Sequence, residues 1–323
     1  MTFADFAEHW LADYAAVQVK PSTLRNYKCT LQGSLIPFFG DSSLSSIRTA
    51  DVQRYLAERV AGSVKATTAH KSLVLLKGML RQAVEWDYLR ANPAQPVKAP
   101  RREHVEMDCL TPDEIHMLLR ALEPAWYSLF FTAIFTGMRL GELLALQWSD
   151  INWHGNTIRV RRSVWHGQFQ EPKTHNSVRT IGMSPRLANV LMEHKLDAPW
   201  SPHDLVFCTA DGGFIDQANL RHRVFQPALR EAGLRKMRIH DLRHTFASLL
   251  INQGENLKYV QSQLGHASIT TTVDRYGHLM PDAHVGASQR LDATVFGREA
   301  SIPVDNLLTR APKAKQAREP ISL

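Results

Sequence analysis

Residues 240–254 have the sequence HDLRHTFASLLINQG, and this segment decides the fold class. Its apolar residues recur at the spacing of one helix face: Leu242, Phe246, Leu249 and Leu250. His240 and Arg243 are three residues apart, so they share a face of the same helix and can point at one ligand. An isolated pair of this kind also fits a solvated surface with a capping role. The segment therefore predicts a helix in a helical domain, and its context must assign the chemistry.

Two short helices are predicted after this segment. Gly265 is placed to end the first, so the backbone holds His266 firmly just beyond it. Ser268 is placed to cap the second, which carries Tyr276 in the register of a last core residue. Because this helix is short and polar and Gly277 follows at once, we expect the Tyr276 hydroxyl to project from the helix end.

A zinc site is the competing interpretation of this region. His240 and His244 have the i, i+4 spacing of helical zinc ligands, but the segment lacks the glutamate that follows the first histidine in such motifs. Cys29, Cys109 and Cys208 lie far apart, which argues against a disulfide framework and a cysteine zinc site. No metal site is therefore predicted.

Two cationic residues upstream are further candidates. Arg139 lies at a predicted helix start in TGMRLGE (136–142), where backbone N–H groups and a guanidinium can bind one anion. It could equally form a structural ion pair with Glu142, three residues on. Lys173 lies between two strand patterns and is expected on a hairpin edge or tip, where most lysines are simply solvated.

The chain is expected to form two domains. Residues 1–97 contain four helical patterns and no strand pattern, with Gly33 expected to end the second helix. Prolines and basic residues then cluster, and residues 98–110 are assigned to a basic, proline-rich linker. A fresh helix start, TPDE at 111–114, opens the second domain.

The second domain combines helices with a little β-structure. An apolar helix is expected to stop at Gly137. The segments 157–160 and 178–181 alternate with period two, which predicts a small antiparallel sheet inside a helical domain. The last twenty or so residues are expected to form a loose basic end to the C-terminal tail, which is assigned to 286–323.

Composition and charge limit the class of protein. The chain has 323 residues, enough for about two domains of ordinary size. Thirty-eight Lys and Arg against 31 Asp and Glu give a net charge of +7, which modestly favours a polyanionic partner such as nucleic acid. No run reaches the roughly 18 apolar residues of a membrane span, and the first ten residues do not have the layout of a secretory signal. We therefore expect a cytosolic protein.

The candidate side chains suit phosphoryl transfer without a metal. Paired arginines neutralise the non-bridging oxygens of a phosphodiester under attack. A histidine exchanges protons near neutral pH, and a lysine can protonate a leaving oxygen. A tyrosine needs such cations nearby, since its reference pKa of about 10 makes it a poor nucleophile alone.

At this point the chain resembles the tyrosine recombinase, or phage-type integrase, family. The resemblance runs from about residue 2 to residue 284 and rests on five ordered motifs: TGMRLGELLALQW (136–148), PKTHNSVRTI (172–181), HDLRHTFASLLINQG (240–254), LGHASITTT (264–272) and DRYGHL (274–279). Any one of them is a modest signal, whereas all five in this order are specific. The resemblance implies six active-site residues: Arg139, Lys173, His240, Arg243, His266 and the nucleophile Tyr276.

The resemblance also implies an architecture. It predicts a mainly α fold with a small antiparallel sheet in the catalytic domain, arranged as a two-domain DNA clamp. Residues 1–97 are assigned to a four-helix, SAM-like core-binding domain and residues 111–285 to the tyrosine recombinase catalytic domain. The linker at 98–110 joins them, and the tail at 286–323 follows.

The implied function is site-specific recombination. Such an enzyme cleaves and rejoins duplex DNA through a 3′-phosphotyrosine, without metal, ATP or another cofactor, and the motifs favour integration or excision of a phage or other mobile element. The alternative is a Xer-like resolvase of chromosome or plasmid dimers, because we expect the chain to start directly at the core-binding module without an arm-binding domain. A regulator with a dead site would lack one of the six residues, and a metal-dependent nuclease would need a carboxylate-rich ligand set that the sequence does not offer.

The expected partners follow from the same resemblance. They are double-stranded recombination sites, three further copies of the chain in a tetramer on DNA, and accessory DNA-bending or directionality factors. The expected location is cytoplasmic and nucleoid-associated, with no role for a membrane.

Overall fold

The chain divides into two compact units, Met1–Glu106 and Met107–Leu323. The structure is a computed structural model that describes residues 1–101, 107–170, 178–277, 291 and 293–295. The division falls inside the segment 98–110 that the sequence assigns to a linker. The described parts are mainly helical, with small antiparallel sheets in the second unit, so the predicted fold class is confirmed.

Residues 1–101 contain four helical runs, two of which include a π-helical turn. The first run comprises α1 (Phe3–His9), a π turn (Trp10–Ala15) and α2 (Ala16–Gln18). The second comprises α3 (Pro21–Thr30), a π turn (Leu31–Leu35) and α4 (Ile36–Phe39). A 3-10 turn (Leu44–Ser46), α5 (Thr49–Ala61) and α6 (Ala66–Glu85) complete the unit.

The prediction that Gly33 ends the second helix is wrong. Gly33 lies inside the π turn, and the run continues to Phe39. Leu31 and Leu35 on either side of the glycine are fully buried, as is most of Phe39. A glycine inside a helix costs about 1 kcal/mol, and burial of these large apolar side chains outweighs that cost.

Large aromatic and aliphatic side chains fill the interior of unit 1. Phe3, Phe6 and Trp10 line the first helical run and are almost fully buried. A capping box fixes the start of this run, because Thr2 accepts from the Asp5 N–H while the Asp5 carboxylate accepts from the Thr2 N–H. The first run is therefore held both by its cap and by its apolar face.

The first helix of unit 2 begins where the sequence predicts a helix start. Thr111 forms a capping box with Glu114 at the start of α7. The helices in the described part of the unit are α7 (Pro112–Ala121), α8 (Pro124–Thr136), α9 (Leu140–Leu143), α10 (Pro185–Asp197), α11 (Gln217–Asn219), α12 (Gln226–Glu231), α13 (Asp241–Asn252), α14 (Leu257–Leu264) and α15 (Ile269–Tyr276). A 3-10 turn at Trp148–Asp150 and a π turn at Leu220–Phe225 complete them.

Two small antiparallel sheets interrupt these helices. The first has strand order β1-β2-β5, where β1 is Ile151–Asn152, β2 is Thr157–Val160 and β5 is Arg179–Gly182. Ile158 pairs with Ile181 at its centre, and both side chains are buried. The second is a hairpin of β3 (Ser163–Trp165) and β4 (Gln168–Gln170). The predicted antiparallel sheet is thus confirmed, and the period-two alternation gives its inward face.

An apolar core joins these elements of unit 2. Phe130 and Phe131 of α8 are buried in it, and Phe130 stacks on Phe225 with ring centroids 5.3 Å apart.

In the described part of the chain, no helix combines the length and the apolar character that crossing a membrane requires.

Helix α8 stops at Gly137, as predicted. Gly137 adopts the left-handed conformation, with a φ of 58°, and closes the helix by donating its N–H to the Ala133 carbonyl. A Cβ atom at this position would lie 2.3 Å from Cδ1 of Phe246. The turn therefore needs glycine both for its backbone angle and for the approach of α13.

Replacing Gly137 with alanine should destabilise the protein. A non-glycine residue in the left-handed region costs about 1–3 kcal/mol, and the contact with Phe246 adds to that cost. Gly182→Ala is the matched control, because no atom lies within 4 Å of the added Cβ, and it should change stability by about 0.5 kcal/mol or less. Urea denaturation followed by circular dichroism measures both, and a wild-type midpoint for Gly137→Ala would contradict the argument.

Candidate active site

Five of the six predicted active-site residues lie in the described part of unit 2, at the ends of four elements. Their positions are Arg139 before α9, His240 and Arg243 at the start of α13, His266 after α14, and Tyr276 at the end of α15. Lys173 lies outside the described residues. The five described residues come together, because hydrogen bonds and ring contacts connect the ends of α9, α13, α14 and α15.

Arg139 forms the ion pair with Glu142 that the sequence offered as an alternative role. Its Nη1 donates to Oε1 of Glu142 over 2.7 Å, and its backbone N–H donates to Oε2 over 2.9 Å. The Arg139 side chain is nevertheless 39% exposed to solvent. The guanidinium is therefore oriented by a carboxylate on one side and open to a ligand on the other, so the two roles are compatible.

Glu142 is a buried carboxylate held between two arginines. Besides Arg139, it accepts from Nη2 of Arg179 over 2.8 Å. Burial alone would raise the pKa of Glu142, but the hydrogen bond and charge of Arg179, with the charge of Arg139, lower that pKa to about 2. Glu142 is thus ionised at neutral pH and fixes both guanidinium groups.

Three arginines, which we call the arginine cluster, also hold the end of α14. Its members are Arg139, Arg179 and Arg243. Nε of Arg179 donates to the Gln263 carbonyl over 2.6 Å, Nη2 of Arg243 donates to the Leu264 carbonyl, and Nη2 of Arg139 donates to the Gly265 carbonyl over 3.4 Å. These carbonyls form the negative end of the helix dipole, which favours cations.

Arg243 lies deepest in the arginine cluster. It is almost fully buried, and its Nη1 donates to the Gly137 carbonyl over 2.7 Å. Burial, followed by the charges of Arg139 and Arg179, lowers the pKa of Arg243 to about 9. Among the described residues, Glu142 pairs with Arg139 and Arg179 and its charge also acts on Arg243, so one carboxylate faces three guanidinium groups. An anion bound here would relieve that repulsion.

The two predicted histidines are neutral at physiological pH. Burial and the charges of Arg243 and Arg139 lower the pKa of His266 to about 3, and its Nδ1 lies 2.9 Å from Oγ1 of Thr272. Burial and the charge of Arg243 also lower the pKa of His240. Each neutral imidazole has one N–H donor and one acceptor, and in His266 the contact with Thr272 leaves Nε2 for a ligand.

Tyr276 departs from its prediction. Its side chain is fully buried, so the expectation that the hydroxyl projects from the helix end is wrong. Its ring packs against the apolar side chains of α13 and α14 and stacks on His266, with centroids 6.5 Å apart. The hydroxyl lies 2.6 Å from Nδ1 of His244. Burial raises the pKa of Tyr276 to about 12, although the charge of Arg243 acts in the opposite direction.

Arg179 and the role of His244 escaped the sequence analysis. Arg179 stands at an inward position of β5, and a charged residue in the register of buried apolar ones is the signal that could have revealed a buried ion pair. His244 was weighed as a zinc ligand, but its Nδ1 contacts Tyr276. Among the described residues, no group of three His, Cys, Asp or Glu side chains is placed to hold a metal ion.

Comparison with known protein families agrees with the fold. Residues 108–282, more than half of the chain, match the phage integrase family, and residues 2–58 match the phage integrase N-terminal SAM-like domain. The match defines the class of the protein, a DNA strand-transfer enzyme of the tyrosine type. The chain belongs to the phage integrase family of tyrosine recombinases, enzymes that cleave and rejoin DNA.

Curated relatives carry integrase and recombinase names. A XerC-like tyrosine recombinase of Caldanaerobacter subterraneus is 29% identical, over 90% of this chain and 83% of the relative. The ICEBs1 integrase of Bacillus subtilis is 27% identical, over 85% of this chain and 79% of the relative. A putative prophage phiRv2 integrase of Mycobacterium tuberculosis is 29% identical, over 85% and 74%.

Solved structures share the fold. The Tn1549 transposon integrase in complex with a circular intermediate DNA superimposes with a TM-score of 0.79 at 19% identity, covering 90% of this chain and 99% of that one. A lambda integrase tetramer bound to a Holliday junction gives a TM-score of 0.68 at 20% identity, covering 84% and 79%.

Proposed function

We propose that the protein is a site-specific recombinase that cleaves and rejoins duplex DNA through a 3′-phosphotyrosine on Tyr276. In this proposal it integrates or excises a phage or other mobile element. The arginine cluster carries the proposal, because Arg139 and Arg179 pair with Glu142 while the charge of Arg243 acts on the Tyr276 phenol. Excess buried positive charge next to a tyrosine suits a scissile phosphate.

The proposed reaction is an in-line displacement at phosphorus. The Tyr276 oxygen forms a bond to the scissile phosphorus while the bond to the 5′-oxygen breaks, and the phenol proton passes to a neutral imidazole of the site, His240 or His266. The 5′-oxygen leaves as a hydroxyl after taking up a proton, for which Lys173 is the predicted donor. Arg139 and Arg243 neutralise the charge on the non-bridging oxygens. Because the phosphotyrosine preserves the energy of the diester, a 5′-hydroxyl of the partner duplex can rejoin it without ATP.

The buried Tyr276 implies a rearrangement before this step. A fully buried hydroxyl cannot contact a phosphodiester, so α15 must shift when DNA binds. Helix α15 has only eight residues, and most of the exposed side chains in its segment TTVDR are polar. Such a helix can move at lower cost than the long apolar helices of the core.

The DNA and its assembly are proposed as follows. The substrates are double-stranded recombination sites, and four copies exchange one pair of strands at a time through a Holliday junction, with accessory DNA-bending or directionality factors. We assign residues 1–97 to DNA binding, 98–110 to the linker, 111–285 to catalysis and 286–323 to a tail. The net charge of +7 supports a DNA partner, and the lambda integrase tetramer on a Holliday junction supports the assembly of four copies. The enzyme would act at the nucleoid.

A Xer-like resolvase is the second candidate. The XerC-like relative, 29% identical over 90% of the chain, is the observation that favours it. The DNA next to the gene separates the two functions, because an integrated element is flanked by direct repeats that serve as its attachment sites. Recombination between those repeats by the purified protein supports the integrase, whereas recombination at a chromosomal dimer-resolution site alone supports the resolvase.

Cleavage should proceed in EDTA. The positive charge at the phosphate comes from the arginine cluster, with Lys173 predicted to add to it, so no bound ion is needed to neutralise the transition state. A suicide duplex nicked near the cleavage point should trap the protein as a denaturant-resistant adduct at the same rate with EDTA or magnesium. Strict dependence of the adduct on added magnesium or zinc would contradict the proposed chemistry.

A further inference from the structure

His244 is a buried titratable residue that the six-residue set does not include. It lies in the first turns of α13, one residue after Arg243, and is 3% exposed. Its ring meets that of His240 edge-on, with centroids 5.2 Å apart, and its Nδ1 lies 2.6 Å from the Tyr276 hydroxyl oxygen. His244 therefore connects a predicted phosphate-site histidine to the predicted nucleophile.

We propose that His244 is the positioning residue of the nucleophile: its Nδ1 accepts the hydrogen bond of the Tyr276 hydroxyl and fixes where that oxygen points. The inference rests on the proposed function of Tyr276. It adds a residue to the recombination reaction that neither the sequence motifs nor the family comparison assigns.

The direction of this hydrogen bond follows from the surrounding groups. The phenol has one proton to donate, and the nearby guanidinium groups of Arg243 and Arg275 have no lone pair that could accept it. Nδ1 of His266, the other imidazole beside the phenol, is engaged with Thr272. Among the described residues His244 remains as the acceptor, which places its own hydrogen on Nε2.

The protonation states agree with this geometry. Burial, followed by the charge of His240, lowers the pKa of His244 to about 4, with Arg275 and Arg238 acting in the same direction and Asp241 opposing them. The pKa of Tyr276 is raised to about 12. The proton therefore stays on the phenol in the DNA-free protein, and His244 positions the oxygen rather than deprotonating it.

Within the described ranges, two side-chain hydrogen bonds tie α15 to its neighbours. His244 of α13 holds the last residue of α15, while His266 after α14 contacts Thr272 in its middle. The His266 and Tyr276 rings are also nearly parallel, at 7°. The phenol is thus located by its ring face and by its hydroxyl before DNA binds, so the shift of α15 that opens Tyr276 to the phosphate starts from one defined position of the oxygen.

Two variants separate the acceptor from the bulk of the side chain. His244→Asn can place its amide oxygen near the position of Nδ1, whereas His244→Leu fills a similar volume without an acceptor. Single-turnover adduct formation on a suicide duplex at saturating DNA should fall about tenfold or more in the leucine variant, as expected when a buried donor loses its acceptor. The asparagine variant should stay within about threefold of the wild type, since it restores the acceptor. The duplex Kd should not change in either.

Other outcomes overturn the proposal. A leucine variant as fast as or faster than the wild type means that the hydrogen bond does not help the nucleophile. Equal losses in both variants mean that ring packing against His240, and not the acceptor, is what matters. Tyr276→Phe run in parallel separates this proposal from the proposed function, because an adduct with the phenylalanine variant refutes the nucleophile itself.

A measurement on the wild-type protein does not depend on the folding of any variant. In ¹⁵N-histidine NMR spectra, the His244 signal, assigned by its loss in His244→Asn, should report a neutral ring with the hydrogen on Nε2 and an acceptor Nδ1 at pH 7. A hydrogen on Nδ1 would reverse the bond to Tyr276 and overturn the proposal.

Discussion

Tyr276→Phe should bind its DNA site normally and form no covalent adduct. The substitution removes the phenolic oxygen, which is the only atom of that side chain able to bond to phosphorus, while the ring keeps its packing against α13, α14 and His266. A suicide duplex incubated with wild-type protein should yield a denaturant-resistant adduct, and the phenylalanine variant should yield none above background. The loss is complete because no nucleophile remains, in contrast to variants that only slow the step.

Stability has to be measured alongside, since the phenylalanine leaves Nδ1 of His244 without its partner. A buried acceptor that loses its donor costs about 1–3 kcal/mol, so a small fall in the urea midpoint is expected. Tyr259→Phe is the matched control: Tyr259 lies on α14, is 43% exposed, and its variant should form the adduct at the wild-type rate. An adduct with Tyr276→Phe, or its loss with Tyr259→Phe alone, would reassign the nucleophile.

The sequence predicts the parts of the fold that short-range rules govern. The capping box at Thr111, the helix stop at Gly137 and the strand alternation around Ile158 and Ile181 all depend on residues within a few positions of each other. The prediction that Gly33 ends a helix fails because longer-range contacts determine the length of this helical run. Leu31 and Leu35 pack in the core of unit 1, and their burial stabilises the run through the glycine. The π turns have no simple signature in the pattern of apolar residues.

The candidate site shows the same limit. Arg139, Arg243 and His266 could be placed at element ends from spacing alone, and the structure brings those ends together. Spacing cannot say which partner a side chain meets across the fold. Arg179 was therefore not predicted, because its partner Glu142 lies 37 residues away in the sequence. The Tyr276 hydroxyl was predicted to point outward, whereas it contacts the buried His244, 32 residues away.

The buried charges explain why so many long-range contacts converge here. An arginine cluster with one carboxylate would repel itself, and three backbone carbonyls at the end of α14 offset part of that repulsion. These carbonyls belong to residues 263–265, directly before His266. The contacts that stabilise the charged cluster thus also position one of the predicted active-site histidines.

Arg243→Lys should lose far more activity than a conserved charge suggests. In the free protein, Nη1 and Nη2 of Arg243 reach two different carbonyls, those of Gly137 and Leu264, and a single ammonium cannot span both. The same fork is what grips two oxygens of a phosphate. A lysine therefore loses the two-pronged contact to the ligand and also loosens the turn at Gly137 and the end of α14.

Single-turnover cleavage by Arg243→Lys at saturating DNA should fall about 100-fold or more, which corresponds to about 3 kcal/mol of transition-state stabilisation. Arg238→Lys is the control, because Arg238 is 73% exposed, pairs with Asp241 next to the site and is outside the predicted set; its rate should stay near that of the wild type. Urea denaturation of both variants identifies any loss through unfolding. If Arg243→Lys is folded and cleaves at a near-normal rate, then the deep arginine is not the one that binds the phosphate, and Arg139 or Arg179 must take that role.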